Sequence, residues 1–320
     1  MTNYILHFKD KNCLVTGGAG FIGSNLSRFL ANNGANVTVL DNFSTGRREN
    51  TSDFEDLGIK LIEVDISQQD QTAVYFSRID YVFHQAAVPS VPRSIAEPLL
   101  TNNSNINGTI SVLENSRLNK VKKVIYAASS SAYGNTEILP KEVSMTPSPL
   151  SPYAVQKLAG EMYSKTYFDN FGLRTTALRY FNVYGPHQDP NSEYSAVIPI
   201  FIKKALKNQP ITIFGDGTTS RDFTFIEDVI QANLRAAIST KSDGHVVNVA
   251  YGDRFTLTEL ANKVIEKIGS SSTIKYEDFR KGDVLHSLAD LSKTKDLIAY
   301  SPLFSLSKGL ARTIEFYKKQ

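Results

Sequence analysis

The chain has 320 residues and a formal net charge of +3, a surplus too small for its size to suit nucleic acid or an anionic membrane surface. Its 41% hydrophobic and 21% charged residues are those of an ordinary soluble globular protein, and no run approaches the roughly 18 consecutive apolar residues of a membrane span. A single cysteine, Cys13, excludes an intrachain disulfide, and without an apolar leader in Met1–Lys11 the expected location is the cytoplasm.

Asn12–Thr16 reads as a short apolar strand, in which Cys13 is expected to be a buried, inert thiol. A glycine-rich turn follows, Thr16-Gly-Gly-Ala-Gly-Phe-Ile-Gly23. Phe21–Asn33 then carries apolar residues at Phe21, Ile22, Leu26, Phe29 and Leu30, the 3–4 spacing of a helix, and Gly34 closes it. Further strands are predicted at Asn36–Leu40, ending on Asp41; at Lys60–Val64, ending on Asp65; at Tyr81–His84; and at Lys123–Ala127. Strands separated by helices need crossover connections, hence a parallel sheet with helices on both faces. Beyond about residue 180, Pro186, Pro190, Pro199 and Pro210 interrupt the chain. Short strands are predicted at Ile211–Phe214 and His245–Val249, and Leu257–Ile268 reads as an amphipathic helix opened by a Thr256/Glu259 capping box.

The glycine turn lies between a strand and a helix, the context of a dinucleotide site. Gly17 would allow the tight turn, Gly20 would let the backbone approach a pyrophosphate, and Gly23 would let the helix pack close to the sheet. Free N–H groups at the helix start would meet the phosphates. Asp41, ending the second strand, would accept hydrogen bonds from ribose hydroxyls and repel a 2′-phosphate, favouring NAD over NADP. Arg47 and Arg48 just behind it read as solvated loop charges. The fold expected is therefore α/β: a Rossmann-like doubly wound parallel sheet over residues 1–180, with a return segment around 222–250, and a smaller α/β substrate-binding domain over 181–320.

Tyr153 and Lys157 stand four apart, which on a helix puts both on one face. An ammonium beside a phenol lowers its pKa, so Tyr153 would serve as a general base, and Lys157 could also hold the nicotinamide ribose. The fifth strand runs into Ser129, Ser130 and Ser131 at its C-terminal edge, where ligands bind in such sheets; Ser129 would hold the substrate alcohol beside Tyr153. His84, at a strand end, reads as a packing residue. The five histidines share no ligand spacing with cysteines or acids, so no metal is expected.

Taken together, the glycine turn, Asp41, Asp65-Ile66, His84-Gln-Ala-Ala87, the serine-bearing strand and Tyr153/Lys157 resemble the extended short-chain dehydrogenase/reductases. Arg179-Tyr-Phe-Asn-Val-Tyr-Gly-Pro186, Gly215-Asp-Gly217, Ser220-Arg-Asp-Phe223 and Arg280-Lys-Gly-Asp283 carry the resemblance over nearly the whole chain, to the branch acting on nucleotide sugars. Within it the chain most resembles the UDP-N-acetylglucosamine 4-epimerases, through Ala87-Val-Pro-Ser-Val-Pro-Arg-Ser94, Ser148-Pro-Leu-Ser-Pro-Tyr153 and Ala196-Val-Ile-Pro199.

The resemblance implies an NAD site lined by Gly17, Gly20, Phe21, Ile22, Gly23, Asp41, Asn42, Ser44, Thr45, Gly46, Asp65, Ile66, Gln85, Ala86, Ala87, Tyr153, Lys157, Tyr180 and Val183. It implies a UDP-sugar site formed by Ser90, Ser129, Ser130, Tyr153, Asn182, Ala196, Val197, Arg221, Arg280, Asp283 and Ser287, with Arg221 and Arg280 suited to the diphosphate. Relatives selective for UDP-galactose often carry lysine at the position of Pro89 and tyrosine at that of Ser287; the small Ser287 implies room for an N-acetyl group. Many members have asparagine where Ser104 stands, so Ser104 receives no role. Ser130-Ser131 replaces the Asp-Glu pair of the branch's dehydratases, which argues against dehydration. The implied reaction is C4 epimerisation through a 4-keto sugar, in a homodimer pairing through Ile106–Arg117 and Tyr153–Phe171. UDP-glucuronate epimerisation or decarboxylation remains open, with Arg93 as the cation a carboxylate would need. An NAD-binding regulatory protein without turnover is the reading from a different class.

Overall fold

The computed structural model describes residues 3–190, 197–279 and 285–319. The strands β1 (Asn12–Thr16), β2 (Asn36–Asp41), β3 (Lys60–Glu63), β4 (Tyr81–His84), β5 (Lys123–Ser129) and β6 (Thr175–Tyr180) join His245–Val249 in one seven-stranded sheet. Its order is His245–Val249, β6, β5, β4, β1, β2, β3, and every pair is parallel. Strands β4 and β6 are buried at every residue, as expected where helices cover both faces of a parallel sheet.

Within β1 the side chains alternate between two cores. Cys13 and Val15 pack with Leu26, Leu30, Val229 and Ala236 from the helices Phe21–Asn32 and Ile226–Ile238. Leu14 packs on the other face with Val82, Val112, Leu113 and Val124. Cys13 is fully buried, and burial pushes its thiol pKa far up, which makes it unreactive.

Local signals decide where elements stop. The helix Phe21–Asn32 ends one residue before the predicted Asn33. Gly34 (φ +86°) donates to the Ala31 carbonyl at 2.9 Å and Ala35 to that of Leu30 at 3.1 Å, the paired bonds of a Schellman cap. The capping box at Thr256 and Glu259 forms as predicted, with both reciprocal bonds present. Strand β5 runs two residues beyond its predicted end, to Ser129. Outside the large sheet, Ile211–Phe214 pairs in parallel with Ile274–Glu277.

From β1 the chain steps outward to β2 and β3, then returns to β4 beside β1 and steps the other way to β5 and β6. The direction reverses between β1 and β4, leaving a crevice at their C-terminal ends, where Thr16 and His84 are register partners.

Candidate active site

The glycine turn fills that crevice. Gly17 has φ +70°, and a Cβ on it would lie 2.6 Å from the Ala86 backbone. A Cβ on Gly23 would lie 2.2 Å from the Gly17 carbonyl oxygen and 2.8 Å from the Gly18 Cα. The first atoms a Cβ on Gly23 would meet thus belong to the turn's own backbone. Gly20 occupies the N-cap of Phe21–Asn32, where no side chain caps the helix, so Phe21 and Ile22 form an uncapped helix start. Gly23→Ala should lower stability by about 1–3 kcal/mol and reduce the NAD that copurifies. Thermal unfolding and cofactor content would check this, and wild-type values for both would count against it.

Asp41 is nearly buried. Its Oδ2 accepts the Ala19 N–H at 2.9 Å and its Oδ1 the Phe43 N–H at 2.8 Å; burial pushes its pKa up and these bonds pull it back. The carboxylate thus ties the end of β2 to the turn. The backbone of Gly46 closes against it: a Cβ there would lie 2.7 Å from Oδ1.

A groove is lined by Gly17, Asp41, Asn42, Ser44, Thr45, Asp65, Ile66, Ala86 and Ala87, all predicted, together with Val64, Val88 and Ser104. Ser104 had been given no role. Asp65 takes the Asn42 amide at 3.1 Å and the Ser67 N–H at 2.8 Å. Arg47 pairs with Glu49 (3.3 Å) and Asp189 (3.2 Å), and Arg48 with Glu63 (2.7 Å) while lying 4.2 Å above the Phe43 ring. Both cations have acid partners, in keeping with a site for a 2′-hydroxyl and not a 2′-phosphate. Gln85 and Tyr180 lie deeper, sharing Asn233: Gln85 Nε2 donates to Asn233 Oδ1 at 3.1 Å, and Asn233 Nδ2 to the Tyr180 hydroxyl at 2.9 Å.

Next along the sheet edge comes the end of β5. Tyr153 is half-buried on the helix Pro152–Phe171; burial raises its pKa, and a hydrogen bond with Ser129 opposes that. The Ser129 hydroxyl also accepts from the Ser131 N–H (3.1 Å) and hydroxyl (2.8 Å). Ser130 opens the short turn Ser130–Tyr133. Lys157 is buried and donates from Nζ to the Ala127 carbonyl at 2.7 Å, 5.0 Å from the centre of the Tyr126 ring. Burial lowers its pKa to about 7, with Glu161 pulling it up. The sequence expectation, an ammonium depressing the phenol pKa, differs from this arrangement. The lysine points at a backbone carbonyl, and burial drives the two groups toward their neutral forms.

Beyond β6 lies a cavity of about 410 Å3 lined by Asn182, Val183, Val197 and Arg221 from the predicted set, and by Lys204, Thr212, Phe214, Phe223 and Glu277. Arg221 is braced by Nη1 bonds to the carbonyls of Ser220 (3.1 Å) and Leu285 (2.9 Å). The buried Ser287 hydroxyl accepts from Asn182 Nδ2 at 3.1 Å and from the Asp222 N–H at 3.3 Å. Asp222, given no role of its own from the sequence, gathers the N–H groups of Tyr251 (2.9 Å), Gly252 (3.1 Å) and Ala289 (3.2 Å) on a carboxyl that burial raises to about 7. Ser90 caps the helix Val91–Ala96 by accepting the Arg93 N–H at 3.1 Å. Ala196, Arg280 and Asp283 lie outside the described residues.

His84 is buried between the Thr16 hydroxyl (2.7 Å, Nδ1) and the Thr109 hydroxyl (2.9 Å, Nε2). Thr109 donates to the Asn105 carbonyl, so it accepts from Nε2–H; burial lowers the ring's pKa to about 3 and keeps it neutral. It bridges β1 to the helix Gly108–Leu118. Among the described residues no group of three His, Cys, Asp or Glu side chains could hold a metal, and no helix is long and apolar enough to cross a membrane.

Residues 13–250 match the NAD-dependent epimerase/dehydratase family. A putative UDP-glucose 4-epimerase of Methanocaldococcus jannaschii is 37% identical over 307 residues, 95% of this chain and 98% of that protein. Among solved structures, the UDP-N-acetylglucosamine 4-epimerase of Methanobrevibacter ruminantium, in complex with UDP-N-acetylmuramic acid, superposes with a TM-score of 0.93 at 39% identity, covering 98% of this chain and 99% of that one. The UDP-glucose 4-epimerase of Thermotoga maritima with UDP-glucose gives 0.91 at 38% identity, covering 96% and 99%.

Proposed function

The chain belongs to the NAD-dependent epimerase/dehydratase family, and from that premise we propose that it interconverts UDP-N-acetylglucosamine and UDP-N-acetylgalactosamine by inversion at C4, with UDP-glucose and UDP-galactose as further substrates. One observation carries this reading: the order of groups along the C-terminal edge of the sheet. The cofactor groove opens at β2, β1 and β4, Ser129 and Tyr153 meet at β5, and the cavity with Arg221 begins just past β6. A dinucleotide, a reacting sugar and a uridine diphosphate fit that sequence of sites. The glycine cradle that any Cβ would obstruct, and the two carboxylates in the groove, suit NAD. Residues 1–180, with 222–250, would serve the cofactor, and 181–320 the UDP-sugar.

Bound NAD would supply a hydride acceptor that gives the same hydride back. Tyr153 then removes the proton from the sugar 4-hydroxyl and later returns it, Ser129 holds that oxygen, and Lys157, bonded to the Ala127 carbonyl, would have to turn toward the phenol oxygen to support its charge. Between those steps the keto sugar turns about its diphosphate tether, which Arg221 and Asn182 would grip. Ser130 and Ser131 stand where an acid pair would serve water elimination, which argues against dehydration. For the uronate reading, Arg93 would have to meet a carboxylate, yet its Nε donates to Glu97 at 2.9 Å. A binding protein without turnover would not need Tyr153, Ser129 and Lys157 assembled.

The test is incubation of the purified protein, without added NAD, with UDP-N-acetylglucosamine, UDP-glucose and UDP-glucuronate in turn, resolving products by chromatography. Formation of UDP-N-acetylgalactosamine is expected. Conversion of UDP-glucuronate alone would replace the substrate assignment, and no conversion of any sugar by NAD-loaded protein would sink the enzyme reading.

The assembly follows from the same reading. Ile95, Leu99 and Leu100, and Val155 and Met162 on the helix Pro152–Phe171, expose apolar side chains, Leu99 to 86%. A symmetric dimer that joins this helix and the segment Ile106–Arg117 to their counterparts would be expected to cover them. Light scattering giving a monomer mass at working concentration would refute it.

A further inference from the structure

The helix bearing Tyr153 is docked by side chains that touch neither groove nor cavity. Ser94, fully buried in the short helix Val91–Ala96, accepts the Tyr153 N–H on its Oγ at 3.0 Å and donates to the Val91 carbonyl at 2.6 Å. Tyr153 lies in the first turn of its helix, so that N–H has no partner inside the helix. Three residues on, the buried Gln156 accepts from Asn105 Nδ2 at 2.8 Å and donates to Thr101 Oγ1 at 3.0 Å. Asn105 itself reads both backbone groups of Val88, taking its N–H on Oδ1 at 2.8 Å and donating to its carbonyl at 3.3 Å. Val88 closes the loop after β4 whose Ala86 and Ala87 line the groove.

Asn105 reaches this position because Asn103–Asn107 is a π-helical turn. One extra residue in the turn is unfavourable by itself and recurs where function requires a side chain to be re-aimed. Here it aims an amide at the backbone of the cofactor loop and at the helix that carries the proposed base. Ser94 fixes where that helix begins, and Gln156 fixes its rotation against the same loop.

We propose that Ser94, Asn105 and Gln156 are positioning residues that hold the Tyr153 hydroxyl and the cofactor loop at one spacing for the C4 reaction. The inference rests on the epimerase reading. Steady-state kinetics of Ser94→Ala, Ser94→Thr and Gln156→Leu, on protein with NAD content matched to wild type, test it. Ser94→Ala and Gln156→Leu should lower kcat about tenfold to a hundredfold while KM for the UDP-sugar stays within about twofold. Ser94→Thr, which keeps the hydroxyl, should recover most of kcat. Should Ser94→Ala not fold, Gln156→Leu decides by the same split. Near-wild-type kcat, a rise in KM that accounts for the loss, or Ser94→Thr as slow as Ser94→Ala would overturn the proposal. Failure of the wild type to convert any UDP-sugar would instead strike the functional reading.

Discussion

Tyr153→Phe should epimerise UDP-sugars about two to four orders of magnitude more slowly than wild type while keeping its NAD. The phenol is an acidic group hydrogen-bonded to Ser129 at the β5 edge, and phenylalanine keeps the ring but cannot exchange a proton. Near-normal turnover would remove Tyr153 from the reaction.

The same pair predicts a pH dependence. Burial raises the Tyr153 pKa and lowers that of Lys157 to about 7, so the first proton leaves the pair as pH rises through about 7. The pair that has lost it can accept the sugar proton; the doubly protonated pair below pH 7 cannot. The rate should therefore fall on the acid side of about 7. The limb should vanish in Lys157→Met, whose residual rate should be low and flat. A wild-type rate unchanged from pH 6 to pH 8 would contradict this assignment.

Ser287→Tyr should abolish turnover of UDP-N-acetylglucosamine and spare UDP-glucose. Ser287 is small, buried and placed against Asn182 and Asp222, two neighbours of the proposed sugar and diphosphate site. A phenol ring there would occupy volume that an N-acetyl group needs and a hydroxyl does not. Its hydroxyl also accepts two N–H groups, which calls for a companion variant. Ser287→Ala keeps the space but leaves one Asn182 N–H and the Asp222 N–H without that acceptor, so it should weaken binding of both sugars alike without changing their ratio. Equal survival of both activities in Ser287→Tyr would show that size at this position does not select the substrate.

Much of the large sheet was legible because its strands are apolar runs bounded by turns. Strand β6, Thr175-Thr-Ala-Leu-Arg-Tyr180, escaped because half its buried residues are polar. Arg179 is tolerated there through a bidentate pair with Glu161, at 2.8 Å on both arms, and by lying 4.7 Å above the Tyr133 ring, and Glu161 is too far along the chain to be linked to it by pattern. Ile274–Glu277 escaped for the opposite reason, since three of its four residues are exposed and leave no apolar period. For the site, the spacing of Tyr153 and Lys157 placed them on one face but could not say where the ammonium points. Asn105 and Gln156 carry no motif of their own, and Asp222, although inside Ser220-Arg-Asp-Phe223, gives no sign in the sequence of what it holds. Their roles arise from backbone groups brought to them by the fold.

The strands β6 and His245–Val249 are neighbours in the sheet, yet the chain between them, residues 181–244, supplies much of the 410 Å3 cavity. The cavity wall is therefore a loop-out pinned at both feet to adjacent rungs of one ladder. During synthesis, β6 must wait as a bare edge until residue 249 has emerged, with the cavity segment already made. Chains stalled in that interval would present Thr175–Tyr180 to whatever strand comes by, so pausing within 181–244 is where nascent chains of this protein should be most prone to aggregate.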